Sequence, residues 1–251
     1  MNNWRDNIDF VLVEPTESGN IGSTSRAMGA MGFYNLSLVN PPKEMSNEAY
    51  AFAHNAVDVL TSAKSYYKFK DSLKEASLVI GISRRTGKGR GMNLSMDEAI
   101  QKITEVAQND KVAILFGRES RGLFNHETEE CAYLLAIPAG GEHPSLNLSH
   151  AVQIVAYELH KASLELNFDA EEDSPSEKEG QLSTYGAQEH LFGRVIEILE
   201  ELNYTKQGDR EIGKRIRVSL KHFFRRAGLT ISETQMFEGI CSRILAFIRK
   251  D

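Results

Sequence analysis

The chain has very little cysteine. Cys131 and Cys241 are the only two in 251 residues, and they stand far apart with no metal-type spacing. That argues against a disulfide framework and a cysteine-built zinc site, and a reducing cytoplasm fits best. The 7 histidines include no H-x3-H pair, so no metal is expected. No apolar run is long enough to cross a bilayer, and the polar start from Met1 to Asp6 has no apolar signal core, so no membrane partner is expected. An excess of basic charge is missing too. The 29 Lys and Arg residues against 35 Asp and Glu leave a net charge of −6. This argues against a wholly basic surface but allows a local basic patch. Familiar signatures also fail. No G-x-G-x-x-G follows the first apolar run. Gly81 to Gly87-Lys88 is one residue too long for a P-loop and has Gly89 where Ser or Thr belongs. No serine sits in a G-x-S-x-G elbow. Hydride transfer, P-loop hydrolysis and zinc hydrolysis have little support.

What is present is an alternation of apolar runs and helical stretches. Ile8–Val13, Leu36–Val39, Ser77–Ile82, Val112–Phe116 and Tyr133–Ile137 read as buried strands. Between and after them, Asn20–Met31, Ala49–Leu60, a run capped by Ser95 with Glu98, a short turn near Glu127–Cys131, and Val152–Leu164 read as helices. Continuous rather than alternating strands predict an α/β fold: a parallel sheet with helices on both faces. Ligands of such sheets sit beyond the carboxyl ends of the strands, where the loops at Glu14, Ser83, Gly117 and Pro138 fall. Gly140–Ala151 follows the last strand and opens the last helix of this part. It reads either as a helix cap or as a binding turn.

Residues 1–165 are expected to form this domain and 166–180 an acidic, solvated linker. Residues 181–251 form a helical extension with three apolar stripes. The third is Met236, Ile240, Ile244 and Phe247. Arginine is prominent in the loops, at Arg26, Arg84, Arg85, Arg90, Arg118 and Arg121. Several on one sheet edge suggest an anionic substrate. In Arg210–Arg226, seven basic residues stand against one acidic, and Arg210, Lys214, Arg217, Lys221 and Arg225 share the face opposite the apolar one. That face is either solvated or an RNA contact.

Three loops together resemble a known family. Asn20-Ile21-Gly22 with Arg26-Ala27-Met28 resembles motif 1 of the SPOUT-class (TrmH/SpoU-type) RNA 2′-O-methyltransferases. Phe116-Gly117-Arg118-Glu119 with Gly122-Leu123 resembles motif 2. Ile137-Pro138 followed by Ser145-Leu146-Asn147-Leu148-Ser149-His150-Ala151-Val152 resembles motif 3. Glu189-His190-Leu191 and Phe224-Arg225-Arg226-Ala227-Gly228-Leu229 are similar to the extension of the TrmJ branch, whose members act in the tRNA anticodon loop. The resemblance implies a deep trefoil knot, S-adenosylmethionine as cofactor, tRNA as partner (rRNA as the alternative) and a homodimer whose site closes across the interface. It implies methylation at nucleotide 32 of the tRNA. It places Asn20, Arg26, Glu119 and Asn147 near the reacting groups, and the cofactor against Ile82, Ser83, Arg84, Gly117, Ile137, Pro144, Ser145 and Leu146. Arg85, Arg118, Lys214, Arg217, Lys221 and Arg225 are the expected RNA contacts. A non-catalytic RNA-binding module of the same fold is the competing reading. The family pattern Tyr-Ser-Ser-Leu-Asn is replaced here by His143-Pro144-Ser145-Leu146-Asn147, and Thr-Ser-Ala-Arg by Ile82-Ser83-Arg84-Arg85. Each change removes a side-chain hydroxyl while leaving backbone contacts possible.

Overall fold

The computed structural model describes residues 4–84, 91–140, 146–165, 180–204 and 210–249. Seven strands form its sheet: β1 (Ile8–Val13), β2 (Leu36–Val39), β3 (Lys64–Tyr66), β4 (Leu78–Ile82), β5 (Met92–Leu94), β6 (Val112–Phe116) and β7 (Tyr133–Leu135). The helices are α1 (Ser18–Ala30), α2 (Asn47–Ala53), α3 (Val57–Thr61), α4 (Met96–Ala107), α5 (Asn125–Thr128), α6 (Leu148–Glu165), α7 (Tyr185–Glu201), α8 (Arg210–Arg226) and α9 (Ile231–Ile248). All strand pairs are parallel, in the order β3-β2-β1-β6-β4-β7-β5. The expected α/β sheet is therefore present. Two short edge strands, β3 and β5, were not legible as apolar runs because their residues are mostly exposed. The helix expected over Ala49–Leu60 is broken at His54, whose φ of 49° interrupts the ladder between α2 and α3. The Ser95–Glu98 capping box forms as expected.

Strand side chains alternate between two cores. Ile8, Phe10 and Leu12 of β1 face the larger one, filled by α1, α2, α3, α4 and α6. Val11 and Val13 face the smaller one, with Leu73, Val79, Leu115, Cys131 and Leu134. Tyr185, the first residue of α7, is part of that second core. The helical extension therefore does not stand apart from the α/β domain but helps to cover its sheet. Of the residues expected to form the linker, 166–180, all but Gly180 lie outside the described set.

Within the extension the expected third apolar stripe is not the buried one. Met236, Ile240, Ile244 and Phe247 are exposed, and α9 instead buries Cys241 and Leu245 against Leu191 and Ile198 of α7. Helix α9 has apolar residues on two faces, and periodicity alone selected the wrong one.

Candidate active site at the carboxyl edge of the sheet

Strands β1 and β6 are neighbours, yet the chain leaves β1 toward β2 while β6 has β4 on its other side. This is the point where the strand order reverses and adjacent loops separate. The loop after β1 leads into α1, and the loop after β6 runs from Gly117 to Leu123. Between the ends of β4, β6 and β7 lies a cavity of about 210 Å³. Its apolar walls include Ile82, Phe116, Ile137, Leu146 and Leu148, and its polar edge includes Ser83, Arg84, Glu119 and Arg121. Gly117 has no room for a side chain: a Cβ there would stand 2.1 Å from the Gly122 carbonyl carbon. The β6 loop turns back on itself at that point, with Gly122 N–H donating to the Arg118 carbonyl at 2.7 Å.

Glu119 ties the two separating loops together. Its carboxylate accepts from Thr16 N–H at 3.2 Å, Thr16 Oγ1 at 3.0 Å, Glu17 N–H at 3.3 Å and Asn20 Nδ2 at 3.0 Å. Burial pushes this carboxyl up, but the hydrogen bonds from Asn20, the backbone and Thr16 outweigh it and hold it below the usual range. The line continues to the third motif. Asn147 Nδ2 donates to Asn20 Oδ1 at 2.9 Å, and Asn147 Oδ1 accepts from Ser149 N–H at 2.9 Å and Ser149 Oγ at 2.8 Å. Asn147 is thus the cap of α6 and also its link to α1. The cap reading of the Gly140–Ala151 turn holds for this residue.

Asn20, Glu119 and Asn147 are brought together as expected. Ile82, Ser83, Arg84, Gly117, Ile137 and Leu146 line the cavity, while Pro144, Ser145 and Arg85 lie outside the described residues. Arg26 is not with them. It lies on the exposed side of α1, in a shallow hollow with Ser23, Phe52, Ser149, His150 and Gln153, and has no hydrogen bond or ion pair among the described residues.

Three expected RNA contacts are corrected. The Arg118 guanidinium is 9% exposed and is held bidentately by Glu127, at 3.0 and 2.9 Å, and by Glu14 at 2.8 Å. It also lies 4.0 Å above the Phe124 ring, so it braces the β6 loop from inside. Lys221 and Arg225 reach the buried Glu130, at 2.7 and 3.2 Å. They anchor α8 rather than facing solvent. Lys214 and Arg217 are exposed, with Arg217 paired to Glu200 at 2.8 Å. Thr16, Glu127 and Glu130 were missed. The partners of Thr16 and Glu130 lie far away in sequence, and Glu127 meets Arg118 only because the β6 loop turns back on itself.

A family model described as the SpoU rRNA Methylase family matches residues 7–157. The chain belongs to this family. It is 35% identical over 238 residues to the tRNA (cytidine/uridine-2′-O-)-methyltransferase TrmJ of Cronobacter sakazakii, covering 95% of this chain and 96% of that one. The crystal structure of TrmJ from Z. mobilis superposes with a TM-score of 0.77 at 25% identity, covering 94% of this chain and 98% of that one. The SpoU methyltransferase AviRb of Streptomyces viridochromogenes, solved in complex with AdoMet, shares the fold. Its TM-score is 0.51 at 19% identity, over 64% of this chain and 62% of that one. Among the described residues, no helix is long and apolar enough to cross a membrane and no acidic, His or Cys cluster could hold a metal ion.

Proposed function

We propose that this SpoU-family chain moves the methyl group of S-adenosylmethionine to a ribose 2′-oxygen of tRNA, acting as a homodimer. The observation that carries this reading is the hydrogen-bonded line Glu119–Asn20–Asn147, which joins all three motif loops beside one cavity. The printed activity of the relative matched over nearly its whole length points the same way.

S-Adenosylmethionine supplies a methyl group already activated on a cationic sulfur. The residues present fit such a molecule. Ile82, Ile137 and Leu146 offer apolar walls for a base, and the Gly117 turn exposes backbone at the floor. Pro144 and Ser145 belong to the same proposed surface. Glu119 is charged and has no ion pair among the described residues, which suits a cationic ligand nearby. The remaining work is to align the ribose and to accept the charge that develops on its oxygen. Arg26 is the residue for that. Arginine stays protonated in proteins, so Arg26 binds the adjacent phosphate and stabilises the forming alkoxide rather than removing the proton.

The place of Arg26 supports the homodimer. Arg26 shares its hollow with Phe52, His150 and Gln153, and Tyr50 of α2, Tyr157 of α6 and Tyr34, in the loop after α1, are half-exposed. A second copy covering that face brings Arg26 of one protomer toward the cavity of the other. The trefoil knot belongs to the same proposal.

The test incubates the protein with methyl-labelled S-adenosylmethionine and either unmodified tRNA or rRNA fragments, then digests the RNA. The expected product carries label on one ribose 2′-oxygen in the anticodon loop of tRNA, and its position distinguishes nucleotide 32 from its neighbours. Label on rRNA alone would move the substrate to the ribosome. Label on a base, or none, would overturn the reading.

A further inference from the structure

The basic stripe of α8 is divided between two environments. Lys214, Arg217, Lys221 and Arg225 recur at three- and four-residue spacing and share one helix face. The carboxyl half of the stripe is inside the protein. Lys221 and Arg225 are 15% and 4% exposed, and both reach Glu130. The amino half runs past that anchor, where Lys214, Arg215 and Arg217 are exposed.

Glu130 is the common partner of four groups from three elements. The 3%-exposed carboxylate takes Lys221 at 2.7 Å and Arg225 at 3.2 Å from α8, and the Tyr185 hydroxyl at 3.0 Å from α7. It also takes Lys70 at 3.2 Å, from a short 3-10 helix, Phe69–Leu73, after β3. Burial pushes the Glu130 carboxyl up, but Lys221, Lys70 and Arg225 outweigh it and hold it at about 2, so it is charged throughout the physiological range. The Arg225 guanidinium lies 3.8 Å above the Tyr185 ring, which closes the cluster. A neutral residue here would take the carboxylate from Lys221 and leave Arg225 with Glu189 as its remaining counter-charge.

The anchored helix also touches the residues that follow the basic stretch 85–90. Gly91 faces His222 of α8, 3.7 Å from where a Cβ would stand, and Arg226 Nη1 lies 3.9 Å from Met92 Sδ. Arg84, which precedes that stretch in the sequence, lines the cavity.

We propose that Glu130 is a positioning residue for RNA: by holding Tyr185, Lys221 and Arg225 it fixes the exposed Lys214–Arg217 face of α8 at a set reach from the cavity, so that one folded RNA is bound at both. This rests on the RNA methyl-transfer reading above. RNA affinity then depends on a group that RNA never touches.

The test is steady-state methyl transfer to an unmodified tRNA transcript by the full chain. The variants are Glu130→Gln, Tyr185→Phe, the double variant Lys214→Ala/Arg217→Ala, and the triple variant combining that pair with Glu130→Gln. Glu130→Gln and the double variant should each raise KM for tRNA about tenfold. Tyr185→Phe, a milder loss at a buried residue, should raise it about threefold. In all of them kcat and the affinity for S-adenosylmethionine should stay within about twofold of wild type. The triple variant should be no worse than its worse parent, because the exposed cations act only when the helix is anchored. An unchanged KM in Glu130→Gln, a loss confined to kcat, or fully multiplicative effects in the triple variant would overturn the proposal. If Glu130→Gln does not fold, Tyr185→Phe decides by the same KM criterion. If the wild-type chain binds tRNA but transfers no methyl, the reading of function fails separately. Glu130 is then judged on the Kd for tRNA, where a tenfold weakening supports its role and no change removes it.

Discussion

The mouth of the cavity and the junction with the helical extension each centre on one carboxylate held below its usual range, and they reach that state by opposite means. At the mouth, Glu119 is surrounded by neutral donors: Asn20, Thr16 and the backbone of Glu17. Its charge is stabilised but not cancelled. At the junction, Glu130 is met by Lys70, Lys221 and Arg225, and its charge is fully matched. Neutral donors suit a place where a cationic ligand must still be attracted. Matched charge suits a place where two parts of a protein must be locked together.

The largest expected effect belongs to Arg26, which lies away from the mouth in its own chain and reaches a mouth only through the proposed second copy. Arg26→Ala should lower methyl transfer by about a thousandfold while calorimetry finds S-adenosylmethionine binding nearly unchanged. Retained transfer would remove Arg26 from the chemistry. The junction comes next. Glu130→Ala should cost about 3–5 kcal/mol in urea unfolding at pH 7, since it removes the carboxylate that meets Lys221 and one of the two that meet the buried Arg225. Glu119→Gln should cost only about 1 kcal/mol. The folded pKa of Glu130 is depressed, so its contribution is present above about pH 4.5 and is lost as pH falls toward 2. The acid-unfolding curve of Glu130→Ala should accordingly be flatter than that of wild type.

Asp9 supplies the contrast to both. It receives a hydrogen bond from Ser37 Oγ at 2.7 Å and has no ion pair among the described residues, and burial pushes its carboxyl up to about 7. The native state then keeps a proton that the unfolded chain releases. Stability contributed by that proton is full below about pH 3.8 and is lost as pH rises toward 7. Asp9→Asn should therefore be more stable than wild type at pH 8, by about 1–3 kcal/mol, and closely similar at pH 4. Equal stability at both pH values would contradict a buried, protonated Asp9. The smallest effect is expected from Arg217→Ala. It should flatten the dependence of log affinity for tRNA on log salt by about one unit of slope, with little change in stability.

The central strands and the cavity were readable because their information is local. Ile8–Val13 and Val112–Phe116 are continuous apolar runs, and Asn20, Glu119 and Asn147 stand in short motifs at strand ends. The junction was not readable, for a physical reason. Lys221 and Arg225 follow the same spacing as Lys214 and Arg217, and periodicity cannot distinguish a cation meeting water from one meeting Glu130, 91 and 95 residues away in the chain. Arg118 misled for the same reason, its partner Glu127 lying across the β6 turn. In α9 the pattern contained two apolar faces, and only packing against α7 decides which one is buried.

The division of labour between mouth and junction is tested most directly by measuring kcat and KM for tRNA in Asn147→Ala and Glu130→Gln side by side. Asn147→Ala cuts the link to Asn20 beside the cavity and should lower kcat by about tenfold or more with KM nearly unchanged. Glu130→Gln should do the reverse, raising KM with kcat nearly unchanged. If both variants change the same constant, the two regions do not have separate roles.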